Sequence, residues 1–206
     1  MSSDLLSAAA IIQLHDQRTR EWHQQPLEKD AGDTSASDWL HAVALQHRAN
    51  FELWHIEDEA RAPGVTDAEL AAVKHRIDQT NQRRNDLAEA LDRILLGWLE
   101  PKGLPSPKAP LNSESPGLIV DRLSILALKI FHTREEAERT DAPVGHAQRN
   151  RDRLAILLEQ RADLAACLDQ LWRETLAGTR QFKLYRQLKM YNDPALNPAI
   201  YRRQTG

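Results

Sequence analysis

The chain holds a single cysteine among 206 residues, Cys167. That excludes a disulfide framework and a cysteine zinc site. In the run Ala165-Ala-Cys-Leu168 it reads as a small core residue. Glycine is scarce, at 8 residues, and aromatics make up 5%. With helix formers abundant, this argues against a sandwich, a barrel or a glycine-loop nucleotide fold. No G-x-S-x-G, P-loop or G-x-G-x-x-G occurs, so nothing supports nucleophilic catalysis or a phosphate-cradling loop. No apolar run approaches the roughly 20 residues of a membrane span. The N-terminal Met-Ser-Ser-Asp-Leu-Leu lacks a basic signal-peptide start, so a soluble, cytoplasmic chain with no membrane partner is expected. Neither sign of charge dominates: 27 Lys+Arg stand against 30 Asp+Glu, a net −3 that gives no general push toward nucleic acid.

Helical periodicity is what is present. A first helix spans about Ser3 to Gln24, with Leu5, Ala8, Ile12, His15, Thr19 and Trp22 at alternating spacings of three and four. A second begins near Ser35 or Ser37, where Ser35 and Asp38 resemble a capping box, and Pro63-Gly64 stops it after Ala60. Thr66 caps a third, with Asp67 and Glu69 in its first turn, running to about Trp98. Pro101–Ser113 is a linker holding four of the ten prolines. Ser115-Pro116 opens a fourth helix that reaches about Arg139, and a turn over Asp141–Gly145 leads into a fifth that ends near Ala177-Gly178. The expected fold is all-α, one domain over 1–206. It is a bundle of five long helices (3–178) in which the second and third, and the fourth and fifth, form antiparallel hairpins.

From Arg180 onward the composition changes, with six Lys/Arg against one acid, a net +5 that leaves −8 on the preceding body. A short helix ending near Tyr191 and a proline-punctuated strap (180–206) are expected across one end of the bundle. Two readings of this tail stand open. It is an amphipathic helix docked on an acidic body, or a basic lid presenting Tyr185, Arg186, Lys189 and Tyr191 to a phosphate or carboxylate. Basic and aromatic residues interleave over too short a stretch to favour nucleic acid.

The helix seams carry polar interruptions. Thr80 and Arg84 sit mid-seam in the third helix, with Asn81 beside them; the second helix places His47, Asn50 and Trp54 on the line leading to Glu57, Asp58 and Arg61. The fourth contributes Asp121, Ser124, His132 and Glu135, the fifth Arg161, and the first His15 and Thr19. Unpaired buried charge is costly, so these groups must find one another or a ligand. Either they form a register-fixing network, with Arg84 and Arg161 paired to Glu57, Asp58, Asp121 or Glu135, or they line a polar pocket between helices. Glu52-Leu-Trp-His55 has the Glu-x-x-His spacing of di-iron helices, but no second copy exists and Glu52 points roughly 160° from Trp54. A hard divalent ion such as Mg²⁺ on Glu57, Asp58 and Asp121, accompanied by a phosphate, fits better. His23, His41, His75 and His146 fall off the stripes and read as solvent-facing.

Four blocks carry a family resemblance: Leu53-Trp-His-Ile-Glu-Asp-Glu-Ala-Arg61; Ile77 to Asp86; Ser113-Glu-Ser-Pro through Asp121-Arg-Leu-Ser-Ile-Leu-Ala-Leu-Lys-Ile-Phe-His132 to Glu136; and Tyr185-Arg-Gln-Leu-Lys-Met-Tyr-Asn-Asp-Pro194. In order and spacing they resemble a bacterial family of stand-alone proteins of unknown function, over about Ala10 to Tyr201. The resemblance implies an envelope-polysaccharide setting near glycosyltransferases. It carries over His55, Glu57, Asp58, Asp78, Asn81, Asp86, Asp121, Arg122, Lys129, His132, Arg134, Tyr185, Lys189 and Tyr191.

The functional expectation is an enzyme or ligand-binding protein for an anionic, phosphorylated small molecule such as a nucleotide or sugar phosphate. Glu57, Asp58 and Asp121 hold a metal or act as acid and base; His55 and His132 transfer protons. Asn81, Arg84, Arg122, Lys129, Tyr185, Arg186, Lys189 and Tyr191 bind the ligand. The alternative is a non-catalytic interaction protein, a homodimer or a scaffold for a glycosyltransferase-type pathway enzyme.

Overall fold

A computed structural model describes residues 7–25 and 39–186. Five α-helices follow in order: α1 (Ala8–Gln24), α2 (Trp39–Ala60), α3 (Asp67–Leu99), α4 (Pro116–Glu138) and α5 (His146–Leu176). No strand occurs among the described residues, so the all-α expectation holds.

Local chemistry sets the boundaries. The Ser7 hydroxyl accepts from the Ala10 amide and starts α1, several residues later than the periodicity placed it. Thr66 and Glu69 form the complete reciprocal capping box that opens α3. Ser115 caps α4 with Pro116 at its first turn. Gly145 takes the left-handed conformation (φ 82°) at the head of α5. The Ser35–Asp38 cap lies outside the described residues.

Ion pairs fix the hairpin sense. Arg76 on α3 binds Glu59 on α2, and Arg83 binds Glu52, so numbering rises along one helix as it falls along the other. The predicted antiparallel α2–α3 pair is borne out. At the far end of the bundle, the main chain after α5 is sewn to the α3–α4 linker. Gln181 donates to the Pro110 carbonyl (3.0 Å) and accepts from the Asn112 amide (2.7 Å), and Phe182 drops into the core. Gln181–Arg186 contains no helix, and the rest of the predicted tail helix and strap lies outside the described residues.

The interior combines an apolar cluster with buried polar groups. Ile11, Trp39, Val43, Leu95, Leu99, Val120, Leu123, Leu168 and Trp172 form a single buried cluster. The helices also bury His15 and Thr19, Gln46 and His47, Thr80 and Asp92, and Asp121 and Ser124. Cys167 corrects the sequence reading: it is exposed, on the flank of α5 rather than on its core line.

Candidate functional site

A continuous hydrogen-bonded chain crosses four helices. Arg84 grips Asp121 with two prongs, Nε to Oδ1 at 2.8 Å and Nη2 to Oδ2 at 2.6 Å. Asp121 Oδ1 also accepts from Gln46 (2.6 Å) and Asn50 (3.0 Å). Asn50 donates onward to Ser124 Oγ (2.9 Å), which meets His47 Nδ1 (2.7 Å), whose Nε2 meets Thr19 Oγ1 (2.9 Å). The hydrogen bonds from Arg84 hold its guanidinium above the ordinary arginine value against the pull of burial. Burial pushes His47 down to about 3, and pushes His15, stacked on it at 4.4 Å between ring centroids, well below the usual histidine range. Both ring nitrogens of His15 lack a hydrogen-bond partner.

This arrangement settles several expectations. Arg84 does pair with Asp121, one of the four predicted partners; Arg161 instead reaches Asp16 on α1, at 2.8 Å. Asn81 is drawn in as an acceptor from Arg84 Nη1, at 3.3 Å. Asp121 is therefore occupied by its guanidinium and amide donors, and it does not gather with Glu57 and Asp58 into a cluster of metal donors among the described residues. Glu57 binds Arg61, just past the end of α2, at 2.7 Å, and Asp58 lies 3.8 Å from the same guanidinium. Glu52 is held by Arg48 and Arg83, away from His55, which removes the di-iron geometry.

Beside the network opens a groove of about 470 Å³ between α2, α3 and α4. Asn50, Trp54, Glu57, Asp58, Arg61, Arg84 and Lys129 line it, over a floor of Leu53, Ile125 and Leu128. Of the predicted site residues it collects Glu57, Asp58, Arg84 and Lys129, with Asp121 behind Arg84. Lys129 is exposed and also borders two neighbouring grooves, one reaching Arg122 on α4 and Cys167 on α5, the other His132. Arg122 turns to Glu114 (2.7 Å) rather than to this groove. Tyr185 and Arg186 are exposed at the end of the described chain, and Lys189 and Tyr191 lie outside it.

The histidines form a second focus. His55 on α2 and His132 on α4, predicted as proton carriers, converge with His23 on α1, whose candidate ligand nitrogens all lie within 4.8 Å of one another. His23 was expected to face solvent; it is half-buried and stacked on Phe131 at 4.2 Å. The missed signal is its position four residues after Thr19, on the same edge of α1. His146 likewise turns inward to Glu136, at 2.7 Å. Phe51 and Trp54 complete an aromatic wall, the indole lying nearly parallel to His132 at 4.9 Å. Burial, then the neighbouring His23 and His132, hold the His55 imidazole below the usual histidine value.

A family model described as a protein of unknown function (DUF4254) matches residues 40–184. No curated protein and no solved structure matches the chain. The matched span runs from the first turn of α2 to just beyond α5. It includes the Arg84–Asp121 pair, the groove, His55 and His132, and leaves His23 outside. With seven-tenths of its length inside that model, the chain belongs to the DUF4254 family.

Proposed function

We propose that the protein binds a phosphorylated small molecule, of the nucleotide or sugar-phosphate class, in the groove between α2, α3 and α4. The observation that carries this reading is Lys129. It is an exposed ammonium with no ion pair among the described residues, at the mouth of a groove that also presents Arg84 and an indole face. Of the five N–H donors of Arg84, three are committed to Asp121 and Asn81, which leaves two for an anion. Asp121 fixes the guanidinium beforehand, so little side-chain entropy is lost on binding. Trp54 and the aliphatic floor suit the base or sugar ring of such a ligand, as in most small-molecule sites. Glu57 and Asp58 at the rim supply hard oxygens for the Mg²⁺ that accompanies many phosphates.

The test is a thermal-shift and calorimetric panel of nucleoside phosphates and sugar phosphates, with and without Mg²⁺. Binding to the native state alone stabilises by about 2.7 kcal/mol at a hundredfold excess over Kd. Lys129→Ala should abolish the shift while the melting of the unliganded protein stays unchanged. A flat response across the panel overturns the reading.

A second reading, a non-catalytic interaction protein in a glycosyltransferase-type pathway, draws support from exposed apolar side chains on α5 and the turn before it. There Val144, Ile156 and Leu158 stand exposed. A copurifying pathway enzyme whose association is lost on Ile156→Glu favours it.

A further inference from the structure

The geometry points to a mononuclear site for a divalent transition metal of the zinc type, held by His23, His55 and His132. Three helices each supply one imidazole, and the candidate donor nitrogens lie within 4.8 Å of one another. Three nitrogens around a tetrahedral ion at ~2.0–2.1 Å stand about 3.4 Å apart, so ring adjustments of roughly 1 Å complete the set. Imidazole is a suitable donor for this class of ion, whereas Mg²⁺ and Ca²⁺ prefer oxygen.

The distal nitrogens make the case. His132 Nδ1 meets the Glu135 carboxylate at 2.9 Å, and His23 Nδ1 meets the Thr19 carbonyl at 2.7 Å. A carbonyl can only accept, so Nδ1 of His23 carries the proton and its Nε2 presents a lone pair. Glu135 likewise sets Nδ1 of His132 as the donor. The Nε2 atoms of both rings are buried and have no hydrogen-bond partner. A buried imidazole nitrogen left without a partner is costly, unless an ion takes its lone pair. One face of a histidine bound to a carboxylate or backbone carbonyl and the other aimed at a common point is the outer-shell pattern of metal sites. Phe51, Trp54 and Phe131 form the apolar surround. No fourth His, Cys, Asp or Glu joins the group among the described residues. Three protein ligands leave one position for water or substrate, the arrangement of catalytic rather than structural zinc.

This site does not depend on the phosphate groove, and its test involves none of that ligand. The full-length, tag-free protein, stripped with chelator, is titrated with Zn²⁺ by calorimetry and with Co²⁺ by its ligand-field absorption. Wild type should take up one equivalent of each, with the Co²⁺ bands of a four-coordinate, nitrogen-rich site. His55→Gln and His132→Gln should weaken binding at least 100-fold. Glu135→Gln, at an exposed position that leaves folding intact, should weaken it 10- to 100-fold as a positioning change. His75→Gln, on the exposed face of α3, should bind as wild type. Absence of one-equivalent binding by the folded wild type, or binding that survives both His55→Gln and His132→Gln, overturns the inference.

Discussion

Arg84 and Asp121 meet across the α3–α4 seam as a two-pronged ion pair, and both carboxylate oxygens of Asp121 are claimed by that one guanidinium. Asp121 additionally receives amides from two residues of α2, so a single carboxylate ties three helices together.

Removing the cation leaves a buried anion with amide donors alone. Arg84→Ala should cost about 3–5 kcal/mol in urea unfolding. Adding Asp121→Asn to Arg84→Ala should recover part of that loss, because a neutral amide needs no cation. A double-mutant cycle with near-zero coupling would contradict the pairing.

Acid should destabilise the fold through its buried imidazoles. Unfolded, His47 titrates near 6.5; folded, burial keeps it neutral down to about 3. The unfolded state binds the extra proton between these values. The stability is therefore full above about pH 6.5 and falls away as pH drops toward 3, by roughly 2 kcal/mol at pH 5. His15 acts in the same direction. Asp92 opposes them: burial raises its carboxyl from 3.8 to about 6, so the folded state binds more protons in that range and stability is lost as pH rises through 6. Urea midpoints at about pH 5 and about pH 7.5 should show a shallower acid loss for His47→Gln and a steeper one for Asp92→Asn.

Gly117 is required by contact. A Cβ there would stand 2.3 Å from the Ala88 carbonyl oxygen and 2.9 Å from Asp92 Oδ1, which accepts the Gly117 amide. Gly117→Ala should destabilise by about 1–3 kcal/mol or more. Gly97→Ala, in α3 with open space around it, should instead stabilise by about 0.5–1 kcal/mol. Thermal melts of the two variants should move in opposite directions.

Cys167 is exposed at the α4–α5 groove, so one thiol should react with an aromatic disulfide reagent in the native protein without denaturant. Labelling that requires unfolding would return it to the core.

Periodicity and capping made the five helices readable, because Thr66, Ser115 and Pro116 act locally and alternation by three and four places residues on a face. The same periodicity made Arg84, Asp121, Ser124 and His47 readable as buried polar groups. It did not reveal which helix would stand opposite: Arg161 found Asp16 rather than an acid on α2 or α4. Glu57 paired with Arg61 four residues on, since i and i+4 neighbours meet without any tertiary contact. His23 was missed because Trp22 filled the same stripe, and only the packing of α1 against α2 and α4 turns the ring inward. Cys167 lies three residues after buried Leu164, about 60° off the core line, which is enough to leave it in water.

The placement of the large apolar cluster gives the bundle a gradient of rigidity along its own length. Apolar packing anchors the ends of α3 and α5 and the starts of α1, α2 and α4, whereas half-buried His23, His55 and His132 lie toward the other ends of α1, α2 and α4. Amides of Leu91–Leu99 should therefore exchange with deuterium only on global unfolding, while those flanking His23, His55 and His132 exchange through smaller openings. The end that carries the three histidines can rearrange around the proposed ion while the anchored end keeps the helices in register.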